Sequence, residues 1–161
     1  MTAAELERYV ELYKQSVCAT AMCIVKNISD ADDVTQDVFF RLYTYEGSFV
    51  NDEHVKAWLL RCTVNRSRDI LRSHWYKFSQ PLSSVKELAQ PDKTDDMLPL
   101  VMKLSRKSRA AMYLHYYEGY SVAEIAEMSG LSGSAVKSRL ARGREQLKKL
   151  LKDERIDDDD I

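Results

Sequence analysis

Between Lys137 and Lys152 the chain carries Lys137, Arg139, Arg142, Arg144, Lys148, Lys149 and Lys152, opposed only by Glu145. Cations this dense, without interleaved acids, suit the neutralisation of a polyanion such as nucleic acid. The segment that presents them reads SVAEIAEMSGLSGSAVKSRLARGREQLKKLL, from Ser121 to Leu151. Ser121 and Glu124 have the spacing of a capping box, in which hydroxyl and carboxylate satisfy the free N–H groups of a helix start. Ala123, Ile125, Ala126 and Met128 give that short helix an apolar face. Gly130 stands where a helix ends in a left-handed residue. Ser132 then caps a second helix with the stripe Ala135, Val136, Leu140, Leu147 and Leu150. This is the spacing of a helix-turn-helix. Its second helix exposes Ser134, Lys137, Ser138, Arg139 and Arg142 on or beside its N-terminal outer face, which suits a DNA major groove.

A second basic block spans His54 to Lys77, with Lys56, Arg61, Arg66, Arg68, Arg72 and Lys77 against Asp69. It follows an acidic stretch, Asp30 to Glu53, in which seven acids meet only Arg41. The net charge of −1 over 161 residues therefore hides alternating blocks, and a nucleic-acid partner feels the local face. The three cysteines, Cys18, Cys23 and Cys62, match no zinc-ligand spacing and fall in apolar helical runs, as reduced core residues do. His54, His74 and His115 are scattered. No glycine-rich phosphate loop and no nucleophile elbow are present, so a non-catalytic protein without metal or cofactor is expected. No window is long and apolar enough to span a membrane, and MTAAELERYVELYK lacks the apolar core of a signal peptide. A cytoplasmic protein without direct membrane insertion is the expectation.

The elements that must position these groups are all helical. Five glycines and three prolines leave room for few tight turns. Leu6, Tyr9, Val10, Tyr13, Val17, Ala21 and Ile24 mark a first helix. Ser29 and Asp30 offer caps for a second, with Val34, Val38, Phe39 and Leu42 inward and an end near Gly47. A third runs from about Asp52 to Arg72, with Trp58 on its apolar stripe. These form a domain over residues 3–76. Residues 77–97 read as a flexible linker, with one possible helical turn from Val85 to Ala89. A second domain follows over residues 98–152, opened by a helix from Ser105 to Glu118 that Gly119 closes. Residues 153–161 read as an acidic disordered tail. The fold class is all-α: two small helical domains joined by a flexible linker, the C-terminal one a helix-turn-helix.

Both domains resemble one family. DADDVTQDVFFRLYTY resembles region 2 of bacterial sigma factors, and HVKAWLLRCTVNRSRDILRSHW resembles the adjoining promoter-reading helix. The stretch from Leu104 to Leu151 resembles their region 4. The order and the short linker resemble the extracytoplasmic-function (ECF, group IV) branch of the sigma-70 family. Two departures stand out: Leu104-Ser105 where the family has Leu-Pro, and Gly143 where it has alanine. The resemblance implies a specificity subunit that binds core RNA polymerase through the β′ clamp helices and the β flap. It implies promoter DNA as the second partner and an anti-sigma factor as a regulator. Asp33, Gln36, Asp37 and Phe39, with Arg41 nearby, match the polymerase-docking motif, an acidic face with an exposed aromatic. Asn65 matches the position that reads an extruded −10 base; Arg66, Arg68, Asp69, Arg72 and Ser73 line the same stretch, and Trp75 and Tyr76 could stack on nucleotides. Ser132, Ser134, Lys137, Ser138, Arg139 and Arg142 match the −35 recognition helix. An autonomous DNA-binding regulator would account for the helix-turn-helix alone but not for the acidic docking helix beside a second basic helix. An adaptor protein would need neither basic block.

Overall fold

The computed structural model describes the backbone of residues 1–77 and 97–159. The expected linker, the turn from Val85 to Ala89 and the side chains of Trp75 and Tyr76 lie outside the described residues. Contacts divide the chain into two units, and the described elements are all helices.

The first unit holds α1 (Ala3–Val25), α2 (Ile28–Thr44) and α3 (Asp52–Lys77). Thr2 and Glu5 close a capping box on α1. Lys26 turns the chain in the left-handed region, φ 51°, and Asn27 caps α2 by accepting the Asp30 N–H at 3.0 Å. The cap is thus Asn27 rather than Ser29 or Asp30; its amide oxygen does the same work. α2 stops at Thr44, short of Gly47, because Tyr45 leaves the helix to pack on Phe49 and Trp58 at ring-centroid distances of 5.3 and 4.9 Å. Trp58 is accordingly half-buried under this loop and not in the core. Asn51 starts α3 by accepting the His54 N–H at 2.9 Å, and His54 Nδ1 accepts the Val50 N–H at 3.1 Å.

The core of this unit is an apolar seam of Val17, Ala21 and Met22 from α1, Ala31, Val34, Val38 and Leu42 from α2, and Val55, Leu59 and Leu60 from α3. Thr20, Thr35 and Thr63 are buried among them, and each hydroxyl donates to the carbonyl four residues back at 2.7 Å. A hydroxyl satisfied this way can stand in a helix interior. At the rim, Arg8 of α1 grips the Asp52 carboxylate through two bonds of 2.9 Å, and Tyr13 donates to the Asp52 carbonyl at 3.2 Å. The first residue of α3 is thereby tied to α1.

The second unit holds α4 (Met97–Val101), α5 (Arg106–Tyr116), α6 (Val122–Ser129) and α7 (Gly133–Asp159). α4 is an element the sequence reading lacked. Pro99 lies in its first turn, where a helix needs no backbone donor, and α4 buries Leu100 and Val101. Ser105 precedes α5 and is pinned to α7: its N–H donates to Gln146 Oε1 at 3.0 Å, and Gln146 Nε2 donates to its hydroxyl at 3.3 Å. The proline of the family pattern has no N–H for the first of these bonds, so the serine has its own structural use. Gly143 is buried where α7 crosses α5; a Cβ there would lie 2.5 Å from Cγ and 2.8 Å from Sδ of Met112. α7 continues to Asp159, past the end expected near Lys152. Lys149 stands four residues before Asp153, a spacing that favours one further turn.

Candidate nucleic-acid interface

The helix-turn-helix forms as its sequence dictates. Ser121 Oγ accepts the Glu124 N–H at 3.1 Å, and Glu124 Oε1 accepts the Ser121 N–H at 3.0 Å. Gly130 ends α6 with φ 65°, and Leu131 donates back to the Ala126 carbonyl at 3.1 Å. Ser132 Oγ accepts the Ala135 N–H at 3.1 Å and opens α7. Ile125, Met128, Val136 and Leu140 close the core between the two helices.

The exposed face of α7 separates the expected −35 residues into two groups. Ser134, Ser138 and Arg142 lie four residues apart in one exposed row, with Lys137 exposed beside it. Neither Lys137 nor Arg142 forms an ion pair with another described residue, so both cations are available to phosphate or base. Arg139 is different. It falls in the row of Ala135 and Gly143, which turns toward α5, and it is half-buried. Its guanidinium donates to the Lys107 carbonyl at 3.3 Å. Arg144, further along α7, donates to the Tyr116 hydroxyl at 3.2 Å. His115 Nδ1 meets the Tyr120 carbonyl at 2.7 Å and so donates to it, holding the turn that leads into α6.

In the first unit the candidate face lies on α3. Asn65, Arg66, Asp69, Arg72 and Ser73 are exposed, and Arg68 is half-buried. Asn65 has no hydrogen bond to another described residue, which leaves its amide free to donate and accept at a base edge. The cations beside it are engaged. Arg66 Nε donates to Asp37 Oδ2 of α2 at 2.8 Å, and Arg72 lies 3.9 Å from Asp69.

On α2, Asp33, Gln36 and Asp37 share an exposed face, with Arg41 exposed beside them. Phe39 is not the exposed aromatic of that face. It is buried, at 7 %, on the side of Val38 and Leu42, whereas Phe40 is 69 % exposed. Phe40 follows Gln36 by four residues and Asp37 by three, so it completes the acidic row, and the half-exposed Tyr43 extends it. The apolar stripe has Phe39 inward, as the structure does; the resemblance put it on the docking face, where the helical spacing from the acids points to Phe40.

The cysteines take no part in either face. All three are free. Burial pushes the Cys18 thiol up. It does the same to Cys62, with the Arg41 guanidinium pulling the other way. Both stay protonated thiols at neutral pH. Among the described residues no group of three or more His, Cys, Asp or Glu is placed to hold a metal ion. Among them, too, no helix is long and apolar enough to cross a membrane.

Comparison with known proteins agrees with this layout. Residues 9–76 match the family described as Sigma-70 region 2, and residues 96–147 match Sigma-70, region 4. The ECF RNA polymerase sigma factor SigM of Mycobacterium tuberculosis (strain H37Rv) is 36% identical over 126 residues, which are 76% of this chain and 64% of that protein. The RNA polymerase sigma factor SigZ of Bacillus subtilis (strain 168) is 30% identical over 135 residues, 79% of this chain and 76% of SigZ. Among solved structures, CnrH in complex with the cytosolic domain of CnrY superposes with a TM-score of 0.61 at 25% identity, covering 94% of this chain and 90% of CnrH. The chain belongs to the sigma-70 family of RNA polymerase sigma factors, in its extracytoplasmic-function branch.

Proposed function

We propose that this protein is a promoter-specificity subunit of a bacterial RNA polymerase. It binds core polymerase through the outer face of α2, engages a −35 element through the first turns of α7, and holds a separated −10 strand on α3. One observation carries the reading: a capped helix-turn-helix that exposes Lys137 and Arg142 without an ion-pair partner among the described residues shares its chain with a helix that aligns Asp33, Gln36, Asp37 and Phe40 on one exposed face. An acidic face with an aromatic suits a basic, partly apolar protein surface such as the β′ clamp helices. The β flap is the second polymerase contact. The work required is binding and strand capture, so the protein turns over no substrate of its own and needs no metal or cofactor. It acts in the cytoplasm.

The proposed domains are residues 3–76 for core and −10 binding and residues 98–152 for −35 binding. CnrH is held by the cytosolic domain of CnrY. A protein partner of that kind, an anti-sigma factor that covers the DNA-facing surfaces, is the proposed regulator.

The test is run-off transcription with purified core enzyme on a genomic promoter library. Discrete transcripts that require both core and this protein are the expected result, and their start sites return the recognition sequence. If the protein alone shifts the same duplex DNA with the same preference, and core adds nothing, it is an autonomous regulator instead.

A further inference from the structure

The ion pair between Asp37 and Arg66 joins two surfaces to which the proposed function gives different partners. Asp37 stands in the exposed α2 row with Asp33, Gln36 and Phe40. Arg66 stands on α3 next to Asn65. The contact runs from Nε to Oδ2 at 2.8 Å, between side chains that are 44% and 51% exposed. Each half of the pair is therefore reachable from solvent, and each is spoken for in the free chain.

We propose that Asp37 guards Arg66. In the free protein the carboxylate cancels the charge that Arg66 would offer to a phosphate. When a cation of the polymerase surface takes the Asp37 carboxylate, Arg66 loses its partner and turns to the DNA strand. Core binding thus raises the strand affinity of α3 by exchanging one ion pair for two, one with protein and one with nucleic acid. This rests on the reading of α2 as the polymerase face and α3 as the strand face.

The guard is weak by construction. An exposed pair of this kind shifts an equilibrium by about two- to fivefold, and salt screens it. Linkage makes the effect reciprocal: a strand bound to Arg66 frees Asp37 and tightens core binding by the same factor. The rival geometry is that Asp37 holds Arg66 in place and leaves its Nη donors to contact phosphate. The two accounts differ in sign.

A double-mutant cycle on the full-length chain decides between them. Wild type, Asp37→Asn, Arg66→Ala and the double variant are titrated with a fluorescein-labelled oligothymidine strand at low salt, without polymerase, and read by anisotropy. Asp37→Asn should tighten binding by about two- to fivefold. The same substitution in the Arg66→Ala background should then change little, because the guarded residue is gone. Three results overturn the proposal. Equal tightening in both backgrounds means that Asp37 repels the strand at large and guards no residue. Weaker binding by Asp37→Asn, with Arg66→Ala also weak, means that Asp37 positions Arg66; the strand face then survives and the exchange does not. Absence of strand binding by every variant, coupled with normal promoter opening by Arg66→Ala holoenzyme, removes α3 as the strand face and the proposal with it.

Discussion

The faces proposed to meet nucleic acid differ in their electrostatics between the two units. On α7 the outer cations Lys137 and Arg142 have no acidic partner among the described residues. On α3 Arg66 is bound to Asp37 and Arg72 leans on Asp69. Duplex DNA is a stiff rod of phosphate, and a ready row of charge beside small serines suits it. A separated strand is held by stacking and base edges as well, so in the proposed reading a damped charge costs less there and selection falls to Asn65. The difference suggests a division of labour in which one unit captures and the other discriminates.

The largest test of this layout is the adjacent pair Phe39 and Phe40. Phe39→Ala empties the core between α2 and its neighbours and should cost about 3–5 kcal/mol of stability, read as a large fall in Tm. Phe40→Ala should leave the melt close to wild type. It should instead weaken association with core polymerase by roughly 2 kcal/mol, about thirtyfold, as the loss of an aromatic anchor does. A reversal of the two outcomes would place the docking face on the other side of α2.

Next come the two nucleic-acid contacts. Arg142→Ala should weaken −35 duplex binding on every sequence and reduce the slope of log K against log salt by about 0.9, the loss of one phosphate contact. Asn65→Ala should leave that slope alone. It should slow promoter opening by the equivalent of about 1–3 kcal/mol and relax preference at one −10 base. Permanganate reactivity on a duplex promoter and on a pre-melted bubble separates the two. If the Asn65 variant fails equally at duplex capture, α3 is a positioning element and the division of labour is wrong.

How much of this could be read beforehand depended on whether the signal was local. The capping box of Ser121 and Glu124, the left-handed Gly130 and the cap at Ser132 are short-range devices, and α6 and α7 formed where those residues put them. Other features were decided by distant partners. Tyr45 ends α2 because Trp58 lies thirteen residues on; Arg139 turns inward because Lys107 offers a carbonyl. The Asp37–Arg66 pair spans 29 residues and two helices, and no periodicity contains it. Phe39 and Phe40 were separable in principle, since the helical phase from Asp33 and Gln36 points to Phe40. The functional faces on α2 and α3 came from resemblance, and their residue roles await the tests above.

A smaller effect is expected at Gly143, where the second unit is packed most tightly. Gly143→Ala gains about 1 kcal/mol from helix propensity. Against this, the new methyl must displace the Met112 side chain, and overpacking costs typically 1–3 kcal/mol. Met112 is fully buried, though its thioether is flexible and can re-pack. The net should be destabilising by about 1 kcal/mol or less, confined to the C-terminal unit and seen by hydrogen exchange of α5 and α7. A stabilised variant would mean that Met112 has room to move, and that the glycine is a tolerated departure from the family pattern.

The smallest expected effect is in the first unit, at the clasp between α1 and α3. Hydrogen bonding from Arg8 holds the Asp52 carboxyl below the usual carboxylate range. A depressed carboxylate contributes stability that is fully present above its unfolded-state value and is lost as pH falls through its folded-state value. The Arg8–Asp52 pair should therefore add a constant amount from neutral pH down to about pH 5, and lose it progressively below about pH 4. Both side chains are about half exposed, so salt should shrink the contribution. Asp52→Asn removes the charge but keeps an amide oxygen that can still accept from Tyr9. Urea melts of wild type and Asp52→Asn across this range should converge as the pH falls, while the gap near neutrality narrows with added salt. A gap that stays constant down to acid pH would show that the Asp52 side chain acts through its hydrogen bond with Tyr9 rather than through its charge.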